Sequence, residues 1–320
     1  MEKEQLSTLI EEHSRERERL VRLKEYYVGR HEILDRTQSG SWAPNNRLVC
    51  NFAKYITDTA VGYVFGNPLK YLFEKNGEKF ERAFEAAKVL THDTLMAKNL
   101  SVYGRAYELV YGADNGDGTA PVNLAALDPT NTFVVRDDTV KKAVTSAVIY
   151  GTEKKSGDKI CRVYSNETVA YYKGTSFDSL KMIKEEAHFM GRVPVIEYLN
   201  NEEGIGDFEQ VTTLIDAYNK LQSDRLNDKE RFVDSILLIQ GCQLPDDITA
   251  AEMLQNKILE LPYENADARY LTKSMNETDT EILRKAIVED IHKFSQTPDF
   301  SDQYFAGNST GVAIKYKPRR

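Results

Sequence analysis

No run of about 18 apolar residues occurs anywhere in the 320-residue sequence, so no transmembrane helix is predicted. The opening stretch, MEKEQLSTLIEEHSRERERL, is polar and charged, unlike a secretory signal. The expectation is a soluble chain made in a cytoplasm. Cysteine is scarce. Cys50, Cys161 and Cys242 are far apart, odd in number and form no CxxC pair. That argues against a disulfide framework or a zinc site and suits buried thiols in a reducing compartment. A basic excess is also missing: Lys and Arg total 42 against 50 Asp and Glu, for a net charge of −8. A protein that grips nucleic acid by its phosphates carries a basic face, so any contact with DNA is expected to be weak or local.

Catalytic signatures are missing too. His13, His31, His92, His188 and His292 have no HExxH or CxxH neighbourhood. His92-Asp93 reads as a surface pair on a helix. No GxSxG elbow surrounds the Ser-Gly pairs at 39–41 and 156–157. GNSTG at 307–311 has the small residues of a phosphate loop but not its GK[ST] ending. DNGDG at 114–118 has Ala125 where a calcium loop counted from Asp114 needs a bidentate Glu, so a hairpin turn is the better reading. The expectation is a protein with no catalytic residues, no cofactor and no metal, and therefore not an enzyme.

What is present is an ordinary globular balance, 41% hydrophobic and 29% charged. Leu6, Leu9, Ile10, Leu20 and Leu23 recur at helical intervals within a charged stretch, which predicts a helix over 3–27 that ends at Gly29. Residues 36–46 read as a loop. A helix from about 49 to 65 carries Phe52, Tyr55, Ile56, Thr59, Ala60 and Tyr63 on one stripe and stops at Gly66-Asn67-Pro68. A third helix is expected over 79–99. Between 101 and 199, short β-branched and aromatic runs at 107–111, 123–129, 132–137, 146–151, 160–165, 168–174 and 193–199 alternate with turn residues, which predicts an antiparallel, meander-like region. Asp207 is the expected N-cap of a helix to about Val233, with Phe208, Val211, Ile215 and Tyr218 on one face. A strand at 236–241, a short helix at 247–257 and extended runs at 258–262 and 268–273 lead to a helix over 277–296. That helix has Leu283, Ile287, Ile291 and Phe294 on one face. The class is α+β.

Four stretches together resemble the portal proteins of tailed double-stranded DNA bacteriophages, in particular long-tailed phages of Gram-positive bacteria. They are YYVGRHEILDR (26–36) with NNRLVCNFAKYITDTAVGYVFGNPLKY (45–71), LTHDTLMAKNLSVYGRAYELVY (90–111) with LDPTNTFVVRDD (127–138), GDFEQVTTLIDAYNKLQSDRLNDKERFVDSILLIQG (206–241), and TPDFSDQYFAGNSTGVAIKYK (297–317). The resemblance implies a portal fold with a mixed helix and antiparallel-sheet wing over 1–205. It further implies a stem of two helices at 206–233 and 277–297, an inserted α/β clip at 234–276, and a tunnel loop at 298–320. Phe208, Val211, Ile215, Tyr218, Leu283, Ile287 and Ile291 become stem-packing residues. Gly307, Asn308, Gly311, Lys315 and Lys317 become channel-lining ones. In the family, KYK leads into a long helix and a helical crown. Here the sequence stops at Lys317-Pro318-Arg319-Arg320, so the expectation is either a fragment of a longer chain or a subunit without the crown.

The resemblance also implies partners: a ring of probably twelve copies, a terminase that supplies the motor, a head–tail adaptor, the major capsid or scaffolding protein, and double-stranded DNA passing without sequence specificity. The expected location is the portal vertex of the virion, after synthesis in a bacterial cytoplasm. Twelve copies at −8 each would carry about −96, a repulsive surrounding for a polyphosphate. The alternatives are another structural or scaffolding head protein, or a nucleic-acid-modifying enzyme.

Overall fold

The computed structural model describes residues 3–37, 44–67, 69–112, 121–233, 236–240, 267–271 and 277–300. It is an α+β chain. The first helix, α1 (Lys3–Tyr27), forms as its periodicity dictates, with Leu6, Ile10, Leu20, Leu23 and Tyr26 buried. Gly29 ends it in the left-handed region at φ +88°, while the Arg30 N–H donates to the Glu25 carbonyl at 2.7 Å. Asn51 serves two helices at once. Its Oδ1 accepts from the Lys54 N–H at 2.9 Å as N-cap of α2 (Phe52–Phe65), and its Nδ2 donates to the Tyr27 carbonyl left free at the end of α1.

The buried side of α2 is Ala53, Ile56 and Thr57, and Tyr63 on the expected stripe is 63% exposed. The helix is apolar nearly all round, so its pattern could not choose a face. The single helix expected over 79–99 is two: α3 (Gly77–Ala86) and α4 (Val89–Tyr103). They break at Lys88, which takes φ +52°. α3 buries none of its residues, whereas α4 buries Val89, His92 and Met96. The turn lets the two helices face different surroundings.

The β region divides into two antiparallel sheets. One has the order β2-β1-β8, from β1 (Arg105–Gly112), β2 (Val122–Leu127) and β8 (Val195–Leu199). The other is a meander of β3 (Thr132–Arg136), β4 (Val144–Thr152), β5 (Lys159–Tyr164), β6 (Thr168–Gly174) and β7 (Lys181–Ala187). Alternation along the meander feeds two cores. Phe133, Val148, Tyr150, Cys161 and Val163 pack with Leu6 and Ile10 of α1. Ala147, Tyr164 and Val169 on the opposite face pack with Tyr107, Leu109 and Val195 of the other sheet. The sequence reading missed β7. KMIKEEA is exposed at every position, so burial wrote no period into it.

Two compact units emerge. One comprises residues 1–31, 50–215 and 289–320; the other comprises 32–49 and 216–288. The helices α5 (Thr212–Val233) and α6 (Glu277–Phe294) each run across that division. Asp207 does not cap α5. The chain first makes a 3-10 turn at Glu209–Val211, and Asp207 is occupied elsewhere: its N–H donates to the Ser101 carbonyl at 2.8 Å. Glu209, in that turn, accepts from the Gly206 N–H at 3.0 Å.

Candidate functional site

In the first unit, the approach to α5 is locked by backbone crossing. A Cβ on Gly104, itself at φ +76°, would lie 2.1 Å from the Gly204 carbonyl oxygen, and one on Gly206 would lie 2.6 Å from that of Val102. Arg19 of α1 reinforces the junction. Its guanidinium grips both carboxylate oxygens of Glu209 and donates to the Gly204 carbonyl at 3.0 Å and to Glu16 at 2.6 Å. Asp128 of the LDPTN stretch pins the last turn of α1. One oxygen accepts from the Thr130 N–H and hydroxyl, and the other meets Lys24 at 2.9 Å. Burial alone would raise that carboxyl, but the bonds from Lys24 and Thr130 outweigh it and hold its pKa below the ordinary value.

In the second unit, α5 buries an unusual stripe. Asn219, Ser223 and Asn227, four residues apart, are polar and buried. Ser223 and Asn227 bind an extended strap, residues 44–50, while the Asn219 carbonyl accepts from the Ser223 hydroxyl at 2.7 Å. The Asn46 N–H and Nδ2 both donate to Asn227 Oδ1, at 2.8 and 2.9 Å, and the Leu48 N–H donates to Ser223 Oγ at 2.9 Å. Arg36 pairs with Asp224 at 2.6 Å. The strap makes no backbone ladder, so these side chains answer its otherwise unpaired N–H groups.

α6 runs antiparallel to α5 within this unit, because its contacts ascend as those of α5 descend. Arg284 reaches Tyr218 at 3.5 Å, Glu281 meets Arg225 at 3.2 Å, and Glu277 meets Lys229 at 3.2 Å. The hydrogen bond from Arg284 holds the Glu281 carboxyl down to about 2, with Arg225 adding to it. The Glu281 carboxylate therefore stays charged at any physiological pH. Between α5 and α6 in the chain, β9 (Ile236–Gln240) and β10 (Asp267–Leu271) pair antiparallel as a separate two-stranded sheet. The expected short helix at 247–257 lies outside the described residues, as does Cys242.

The sequence-predicted residues separate as follows. Phe208, Val211 and Ile215 are fully buried and Tyr218 nearly so. On α6, Ile291 is buried and Ile287 half-buried, but Leu283 is 51% exposed. The side of α6 turned to α5 is instead the charged row 277/281/284. Gly307, Asn308, Gly311, Lys315 and Lys317 lie outside the described residues. His92 is a correction. It is buried, with Nε2 2.8 Å from Glu108 Oε1, and Tyr198 donates to the other Glu108 oxygen. Its side of α4 faces β1, a partner that spacing on α4 cannot reveal. The strap residue Asn46 and its partners Ser223 and Asn227 also escaped the sequence reading, since polar residues at helical spacing look like a solvated face.

Among the described residues, no three His, Cys, Asp or Glu side chains gather where they could hold a metal ion. No described helix is long and apolar enough to cross a membrane.

A family model for phage portal proteins, SPP1 Gp6-like, matches residues 6–319. The portal protein of Clostridium phage phiCD119 is 22% identical over the whole chain and 77% of its own length. The portal protein of Bacillus phage SPP1 is 23% identical over 91% of the chain and 59% of its own length. The match extends through the strap, both long helices and the strand pair between them, and the chain belongs to the SPP1 Gp6-like family of phage portal proteins.

Proposed function

We propose that this chain is one subunit of a closed ring at a single capsid vertex, a channel through which the double-stranded genome enters during packaging and leaves at ejection. The antiparallel α5–α6 pair, prolonged by β9 and β10, is the observation that supports this reading most directly. Residues 206–233 and 277–297 serve as the stem and 234–276 as a clip projecting from it. Residues 1–205 form the wing, and Gly307, Asn308, Gly311, Lys315 and Lys317 form the tunnel loop. The clip presents itself to a terminase and later to a head–tail adaptor, and the wing to the major capsid or scaffolding protein. The ring resides in the virion.

The chain's part is positional, not catalytic. A net charge of −8 per subunit keeps the channel from holding DNA, because each phosphate contact by Lys or Arg would add counterion-release affinity. Work on the DNA is left to a separate motor. Within the stem, the ion pairs are partly exposed and individually contribute little, about 0–1 kcal/mol each. Their use is to set register and direction between the two helices.

Negative-stain electron microscopy of the purified protein tests the reading. Closed rings with a central hole are expected. Shells, filaments or uniform monomers at every concentration would favour a scaffolding protein and overturn the ring.

A further inference from the structure

Residues 58–98 carry a surface that the chain's own core leaves uncovered. α2 and α4 leave an open groove of about 600 Å³, lined by Val61, Gly62, Leu90 and Leu95 together with Asp58 and Lys98. Around it, Tyr63, Val64, Leu72, Phe80, Leu90 and Leu95 expose between 45% and 93% of their surface. α3 adds a preformed aromatic cluster. The ring of Phe73 stacks on Phe80 at 4.9 Å and meets Phe84 edge-on at 5.3 Å, yet no residue of α3 is buried. The rings are ordered against one another, with Phe80 exposed and Phe73 and Phe84 half-buried.

These side chains present on the order of several hundred Å² of apolar surface. A monomer's largest patch is typically about 300–600 Å². One partner in a stable interface contributes about 800 Å². The size suits a protein partner, and the charge says which. Residues 58–98 hold six Lys or Arg and six Asp or Glu, net zero, in a chain whose net charge is −8. Two copies of so acidic a chain repel one another wherever their average surfaces meet. Here they do not. A strongly basic or acidic partner, conversely, would find no net field to steer it.

We propose that the α2–α3–α4 face is a self-association surface and that a second copy of this chain covers it. The inference rests on the ring reading, and locates one of the two faces that a head-to-tail contact needs. Apolar burial supplies the attraction, and the interspersed charges of α3 set the orientation of the incoming copy.

Gly62 allows a direct test. A Cβ added there would meet nothing within 4 Å, so a larger side chain fits the monomer and occupies the groove. Gly62→Glu and, separately, Leu72→Glu should keep the circular dichroism spectrum and melting behaviour of the parent. Each should raise the concentration of half-assembly, read by sedimentation velocity, about tenfold or more. Folded variants that assemble like the parent would overturn the proposal and leave the ring reading standing. Variants that assemble normally but no longer bind the major capsid protein would assign the face to that partner, which also overturns it. A parent chain that stays monomeric at every concentration would remove the ring reading and this inference together.

Discussion

His13 on α1 and Tyr150 on β4 meet at 2.8 Å between Nδ1 and the phenol oxygen, 137 residues apart in the chain. The imidazole stacks on Phe133 at 4.8 Å, and its buried Nε2 has no hydrogen-bond partner among the described residues. Beside Leu6 and Ile10, this side chain helps seat the N-terminal helix on the five-stranded sheet in its neutral form. Burial lowers its pKa from 6.5 to about 4, and Arg105 and Arg17 push in the same direction.

Stability should therefore depend on pH through this residue. The folded-state pKa lies below the unfolded one, so between about 6.5 and 4 the unfolded chain binds the proton first. The contribution is present in full above 6.5 and is lost as pH falls toward 4. The gap corresponds to roughly 3 kcal/mol. Urea midpoints at pH 7.5 and 4.5 should fall further in the parent than in His13→Leu, and equal falls would refute the assignment.

The strap on α5 gives a second prediction. Removing the acceptor in Asn227→Ala leaves the Asn46 amide without its partner, at a cost of about 1–3 kcal/mol. Hydrogen exchange at Asn46 should accelerate, and Ser223→Ala should do the same at Leu48. Unchanged exchange at both amides would show that packing alone holds the strap.

Gly104 gives a third. Gly104→Ala meets the Gly204 carbonyl and a left-handed φ together, so no side-chain rotation relieves it. A loss of about 3 kcal/mol or more is expected, against well under 1 for Gly151→Ala, whose Cβ meets nothing within 4 Å. Thermal melts of the two variants compare them directly, and similar melts would show that the crossing yields.

A fourth concerns the lysines expected to face DNA. Lys315→Glu with Lys317→Glu should impair DNA packaging in an in vitro assay while electron microscopy still shows intact rings. Normal packaging by the double variant would mean that these lysines take no part in the channel.

Much of the chain was legible without coordinates. The leucine spacing of 3–27, the end at Gly29 and seven of the eight strands between 101 and 199 to within two residues were fixed by short-range chemistry: helical or alternating period, turn residues, a left-handed glycine. The four family-like stretches pointed to the portal proteins because order along the chain is itself a sequence property. Only the tertiary structure decided which strands share a sheet, since β8 pairs with β1 across 90 residues rather than with its sequence neighbour. It decided that His92 is buried against Glu108, that Asp207 bonds the end of α4 instead of capping α5, and that Ser223 and Asn227 hold a strap. It also turned the charged side of α6, rather than Leu283, toward α5. In each case a side chain's environment is set by residues far away in sequence. Periodicity reports that a helix has faces, but the neighbour that arrives decides which face is buried.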